Sequence, residues 1–155
     1  MALKSDRYEL QTDISFFYNA GTATRGGVAV HGTAGSGAAM DQGANLVTYA
    51  VVTGASVPVG ILLNDVVNKD LTRTHLNQHK DEVQKGGKVT VLRKGYVVTN
   101  NITGTPSAGD PAFACHVNSG NIRKDSPGSS GVLQIGRFVS SQDEDGYAKV
   151  EVNLP

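Results

Sequence analysis

The chain has no tryptophan, one cysteine and no net charge. Each scarcity removes a class of function. A single thiol, Cys115, makes neither an intrachain disulfide nor a four-cysteine zinc site. The 14 Lys and Arg are matched by 14 Asp and Glu, so the basic excess that a duplex binder uses to displace counterions is missing. No nucleic-acid partner is expected. No apolar run approaches the ~20 residues of a membrane-spanning helix, and no membrane partner is expected either. The opening residues, MALKSDRYELQTDISFFYNAG, place charges where a secretion signal has its apolar core, so no such signal is expected. Aromatics are only 6% of the residues, and carbohydrate readers usually display exposed aromatics, often Trp. What is plentiful is glycine, 19 of 155 residues, well above the usual ~7%. That length suits one domain and lets it bury roughly two-thirds of its unfolded surface.

From Arg25 onward, short Val-rich runs are divided by Gly, Pro, Asn, Asp and Ser clusters. The runs are 28–30, 46–52, 59–63, 88–92, 96–99, 111–117, 132–139 and 147–154. Runs this short between turn residues predict a mainly β fold, a small barrel or sandwich. The last run is the cleanest. Ala148, Val150, Val152 and Leu154 alternate with Lys149, Glu151 and Asn153, the period of a half-buried strand. Residues 142–146 before it predict a hairpin loop, with Asp145-Gly146 as a type I′ turn.

Two segments depart from this pattern. Residues 1–24 mix charges with an apolar knot, Phe16-Phe17-Tyr18, and hold neither a helical period nor a long alternation. They predict an extended N-terminal arm ahead of a single domain over 25–155. Three adjacent aromatics need cover, from the domain or from a partner. Residues 68–85 contain no Gly or Pro and run into Gly86-Gly87. Asn68 or Asp70 can cap a helix there, and Gly86 can end one. A short helix and a polar loop both fit this excursion, at about 68–87.

The search for chemistry ends without a catalytic set. His75 and His79 stand four apart, a spacing that suits zinc on one helix face. The zincin pattern needs Glu directly after the first His, and here Leu76 follows. No third ligand is set by spacing. The two histidines are candidates for an intersubunit or metal contact, against the plainer reading of a solvated pair. Cys115 and His116, adjacent on a strand, point to opposite faces and form no catalytic pair with each other. Cys115 reads as a small buried hydrophobe. The glycine run at 32–37 is followed by Ala38-Ala39 instead of the Lys-Ser/Thr of a phosphate loop. Ser129-Ser130-Gly131 lacks the flanks of a nucleophile elbow. Asp143, Glu144 and Asp145 are consecutive, whereas calcium loops alternate their acids. The chain reads as a binding part and not an enzyme, with no cofactor expected.

Several stretches carry a resemblance when taken in order. They are residues 8–18 with RGGVAV at 25–30, GTAGSGAAMD at 32–41, VGILLNDVVN at 59–68, HKDEVQ at 79–84 leading to GGKV at 86–89, and QDEDGYAKVEVNL at 142–154. Together they resemble the decoration (cement, head-stabilising) proteins of tailed bacteriophages. The resemblance implies a small β-barrel or β-tulip-like domain on the outer surface of an icosahedral head, made in the host cytoplasm. It implies binding to the major capsid protein, bridging of neighbouring capsid subunits, and stabilisation of the expanded head against the pressure of packaged DNA. It also implies self-association, with a trimer favoured. No catalytic residue transfers with it. On this reading the arm is a clamp, and Tyr8, Phe16, Phe17, Tyr18 and Arg25 are the candidate capsid-binding residues. Removing residues 1–18 is then expected to leave the domain folded but poorly attached. A tail, baseplate or fibre-attachment β-module of a phage particle is the alternative.

Overall fold

The computed structural model describes residues 3–32, 45–49, 56–68, 82–125 and 133–155. Over these residues the chain is mainly β and contains no helix. The strands are β1 (Leu3–Asp13), β2 (Phe17–Tyr18), β3 (Val28–His31), β4 (Leu46–Thr48), β5 (Pro58–Leu62), β6 (Asp65–Val67), β7 (Glu82–Gln84), β8 (Val91–Thr99), β9 (Pro111–Ala114), β10 (Ile122–Arg123), β11 (Gln134–Phe138) and β12 (Ala148–Asn153). The large sheet has the order β10-β9-β11-β12-β8-β5-β3-β4-β2, with β1 attached to β8. A separate parallel pair joins β6 to β7.

Strand β8 organises the sheet because its two halves pair differently. Its C-terminal part lies antiparallel to β12, with Val97 opposite Val150 and Tyr96 opposite Glu151. Its N-terminal part pairs with β5, with Leu92 opposite Ile61. β1 runs antiparallel along β8 from Thr99 to Val91. The two apolar runs at 88–92 and 96–99 thus belong largely to one strand, continued through Arg93-Lys94-Gly95.

The expected barrel does not close. The sheet is open between β10 and β2. β10 has two residues, paired with Phe113 and Ala114 of β9, and the chain around it meets the body through isolated contacts. Ile102 bridges Ile122, and the Val28 N–H donates to the Gly120 carbonyl at 2.7 Å. Of the 68–87 excursion, residues 69–81 lie outside the described residues. Its end is strand, β7, followed by a turn at Gly86 with φ 84.

Two apolar clusters hold the fold. The first gathers Leu3, Val28, Val30, Ile61, Leu92, Val97, Ile122, Ile135, Phe138, Val150 and Val152, among others. The second lies across the sheet and gathers Tyr18, Ala29, Val47, Val59, Leu62, Val66, Val89 and Val91. β5 is therefore buried along its whole length, which explains why it reads as an unbroken apolar run. Its register carries a bulge. Ala29 faces Gly60 but Val30 faces Pro58, so Val59 is the extra residue. The bulge sends Val59 to the second cluster and Ile61 to the first. Each large side chain buried this fully contributes about 1.5–3 kcal/mol.

Tyr49 ties the loops at one end. Its hydroxyl donates to the Thr24 carbonyl and accepts from the Gly27 N–H at 3.1 Å. Burial pushes the phenol well above its ordinary range. Gly120, with φ 78, packs under the ring, and a Cβ there would stand 2.6 Å from a ring carbon.

The segment expected as an arm is extended and docked over its described length. Leu3 is buried in the first cluster and Tyr18 in the second. Between strands the backbone is also tied down. The Val89 N–H donates to the Phe16 carbonyl at 3.0 Å, Tyr18 exchanges bonds with the Gly86-Gly87 turn, and Ala23 with Val66. The domain itself covers Tyr18 fully and Phe16 and Phe17 in part.

Candidate docking surface

The middle of β1 offers apolar surface. Arg7, Tyr8 and Glu9 sit opposite Val97, Tyr96 and Gly95 without interruption, and register shifts flank that triplet. Gly95 makes this approach feasible. Its φ is 139, and a Cβ would stand 2.0 Å from the Tyr8 carbonyl oxygen. The Tyr8 ring stacks on Tyr96, with centroids 5.9 Å apart and 30° between planes. The Lys149 ammonium lies 3.7 Å from the Tyr96 ring centre, a cation–π contact. Tyr8, Leu10, Tyr96 and Val139 line a shallow groove there with Lys94 and Glu151. Tyr8 is 53% exposed and Leu10 66%. The neighbouring Arg7 and Glu9 pair with each other at 2.6 Å.

A second depression lies between β3 and the C-terminus. Phe16, His31, Val57, Leu133, Leu154 and Pro155 line it. The Phe16 ring meets His31 edge-on at 5.7 Å, and its other contacts are with the second cluster. Val57 is 51% exposed and Leu133 42%.

The five residues singled out as capsid contacts are placed very differently. Tyr8 is the most exposed, in the groove. Phe16 shares its ring between core and depression. Phe17 is half-buried, pairs with Leu46 and lies under the Lys88 ammonium at 5.6 Å. Tyr18 is 1% exposed and packs edge-on against Tyr49 inside the molecule. Arg25 is half-buried beside Asp65, whose carboxylate accepts from the Arg25 backbone N–H at 2.8 Å and lies 3.8 Å from its Nε. His75 and His79 lie outside the described residues.

The remaining polar candidates are structural where they are described. Among the described residues no group of His, Cys, Asp and Glu is placed to hold a metal ion. Cys115 is buried, and its sulfur accepts from the Val117 and Asn118 N–H groups at 3.4 and 3.3 Å. Burial pushes the thiol up, but these bonds, the Thr103 hydroxyl and the Arg123 charge outweigh it and leave its pKa lowered. Asp143 organises the hairpin loop. Its carboxylate accepts from the Tyr147 N–H at 2.7 Å, the Asp145 N–H at 3.1 Å and the Lys4 ammonium at 3.0 Å. The turn itself differs from the type I′ expectation, which needs positive φ at both central residues. Only Gly146 has it, at φ 80. The Gly146 N–H donates to the Asp143 carbonyl and the Asp143 N–H to the Tyr147 carbonyl, a longer loop ending in a left-handed glycine.

Sequence reasoning missed Leu10, Tyr96, Val57 and Leu133 as surface apolar residues. The outward row Lys149, Glu151, Asn153 was the available sign of an exposed face over β12. Nothing in the polar sequence of β1 marked the strand that completes the groove.

The chain matches the family model of the structural cement protein (E217 gp24/Pam3 gp6) over residues 7–153. The chain belongs to the phage structural cement protein family. A search of curated proteins finds no match. The family match starts inside β1 and ends at the last residue of β12, so it takes in the groove and the depression apart from Leu154 and Pro155. Cement proteins are structural, non-enzymatic parts of the phage capsid. Exposed apolar patches mark interaction surfaces in many proteins, and the groove and the depression are where the described residues form such patches.

Proposed function

We propose that this cement protein binds the major capsid protein on the outer surface of an icosahedral phage head. There it bridges neighbouring capsid subunits and stabilises the expanded head against the pressure of packaged DNA. It is made in the host cytoplasm and adds to the head from outside. The observation that carries this reading is the family match across 7–153. The depression around Phe16 is the proposed capsid contact, with Val57 and Leu133 as its exposed apolar wall and Phe17 and Arg25 close by in sequence. Each contact need only be modest. Repetition over a lattice multiplies weak contacts through effective concentration, and capsid binding stabilises the folded state in turn.

The test is co-sedimentation with expanded heads assembled without this protein. Saturable binding at a fixed ratio to the major capsid protein is expected, and Val57→Asp with Leu133→Asp should abolish it while leaving the circular dichroism unchanged. No binding by the parent chain overturns the reading and favours a tail, baseplate or fibre-attachment role.

A further inference from the structure

β1 is eleven residues long and pairs with β8 alone, so among the described residues its other edge has no partner. A long exposed edge of this kind is a template for a strand from another chain. The backbone geometry and the charges of β1 select which strand fits. The Tyr8 carbonyl points at β8, since it stands 2.0 Å from where a Gly95 Cβ would be. Along a strand the backbone polar groups alternate between the two edges. The N–H and C=O groups of Arg7 and Glu9 therefore face the open edge.

An antiparallel strand of a second copy has to match outward-facing residues with outward-facing residues. Around the regular triplet three registers satisfy that condition. One sets Arg7 against Arg7 of the partner subunit, and another sets Glu9 against Glu9 of the partner subunit. Both place like charges directly opposite, which destabilises a pair. The remaining register sets Arg7 against Glu9 of the partner subunit, twice by symmetry. It also sets Tyr8 against Tyr8 of the partner subunit, as a non-hydrogen-bonded pair in which side chains come closest. Tyr8 is 53% exposed and already stacked on Tyr96, so this pairing builds a continuous row of four tyrosines and covers the groove. The register shifts between Leu3 and Arg7 and between Glu9 and Gln11 limit the regular stretch and work against indiscriminate pairing at other offsets.

We propose that two copies of this chain join edge to edge through β1, with Arg7 opposite Glu9 of the partner subunit and Tyr8 opposite Tyr8 of the partner subunit. The interface is twofold and self-complementary. It makes dimers, where the family resemblance favours trimers. The reading does not depend on the capsid contact, and its test uses no capsid, so the two fail separately.

The experiment is sedimentation equilibrium of the full chain with two charge variants. The parent is expected to be a dimer. Arg7→Glu and Glu9→Arg should each weaken dimerisation by roughly tenfold or more, because each turns two attractive cross-strand pairs repulsive. Each variant alone is expected to keep the parent circular dichroism. An equimolar mixture of the two should dimerise again, because every acidic position then faces a basic one. The double variant carrying both changes should dimerise with itself for the same reason. A monomeric or trimeric parent overturns the proposal. So do single variants that dimerise as the parent does, or a mixture that stays monomeric, an outcome that would leave the edge to a strand of the capsid protein.

Discussion

Tyr8 and Tyr96 stack across β1 and β8 at 5.9 Å, directly beside the point where Gly95 lets the two backbones close. The aromatic contact and the glycine belong to one device. The ring pair covers the outer face, and the missing side chain lets the Tyr8 carbonyl reach β8. β1 thereby becomes a working edge of the sheet instead of a loose tail.

Gly95→Ala tests that device. The backbone there has φ 139, where side chains are strained, at about 1–3 kcal/mol. The new Cβ also meets a main-chain oxygen that has no room to yield. The expected result is a loss of about 3 kcal/mol or more in urea denaturation, with amide exchange of β1 rising more than that of β12. A variant as stable as the parent, with β1 protected, would show that the strands do not approach as described.

The N-terminal segment makes a second test. Leu3 is 2% exposed in the first cluster and Tyr18 1% in the second. One segment therefore closes both clusters, and its removal opens both. Leu3→Ala is expected to cost about 2–5 kcal/mol, and Tyr18→Ala to fall in the range of other large aromatic truncations, about 3–5 kcal/mol. Deletion of residues 1–18 should then destabilise the domain as well as its attachments. This replaces the expectation that the domain stays folded without them. A deletion variant that melts with the parent would reinstate a detachable arm.

How much of this was legible follows from burial. β12 shows a clean alternation in sequence because one face is buried and the other is wet. β3 and β5 were legible as unbroken apolar runs because both their faces are covered. β1 reads only as an extended arm because between Lys4 and Asp13 it leaves little buried. Its order comes from backbone pairing, which any sequence can supply. β10, with two residues, and β6 and β7, with three each, are too short to carry a period. The aromatic knot is legible but the choice of its cover, domain or partner, is not, since nothing local says that Tyr18 turns inward while Tyr8 stays out. For the candidate site, composition pointed to a binding part, and the family resemblance agreed with the match over 7–153. Tyr8 and Phe16 were reachable from sequence, whereas Tyr96, Val57 and Leu133 join them only through strand pairing across distant parts of the chain.

The last test concerns acid. Asp143 ties the start of β1 to the hairpin before β12, through the Lys4 ammonium at 3.0 Å and two backbone N–H groups. The Lys4 bond and the Tyr147 N–H hold its carboxyl below the ordinary carboxylate value, and the same contact holds the Lys4 ammonium above its own. The signs agree. A carboxyl lowered on folding contributes stability above its ordinary pKa, and that contribution is lost as pH falls through the lowered value. A raised ammonium contributes below its ordinary pKa and loses that contribution only in strong alkali. The latch is thus fully made at neutral pH and opens on acidification. The Tyr147 and Asp145 amide resonances should titrate together with the Asp143 carboxyl, at a pH below the ordinary carboxylate range. In Asp143→Asn that step should vanish, with the start of β1 exchanging faster at neutral pH. Amides that titrate in the ordinary carboxylate range, or that do not titrate with Asp143, would mean that the carboxylate does not organise the loop.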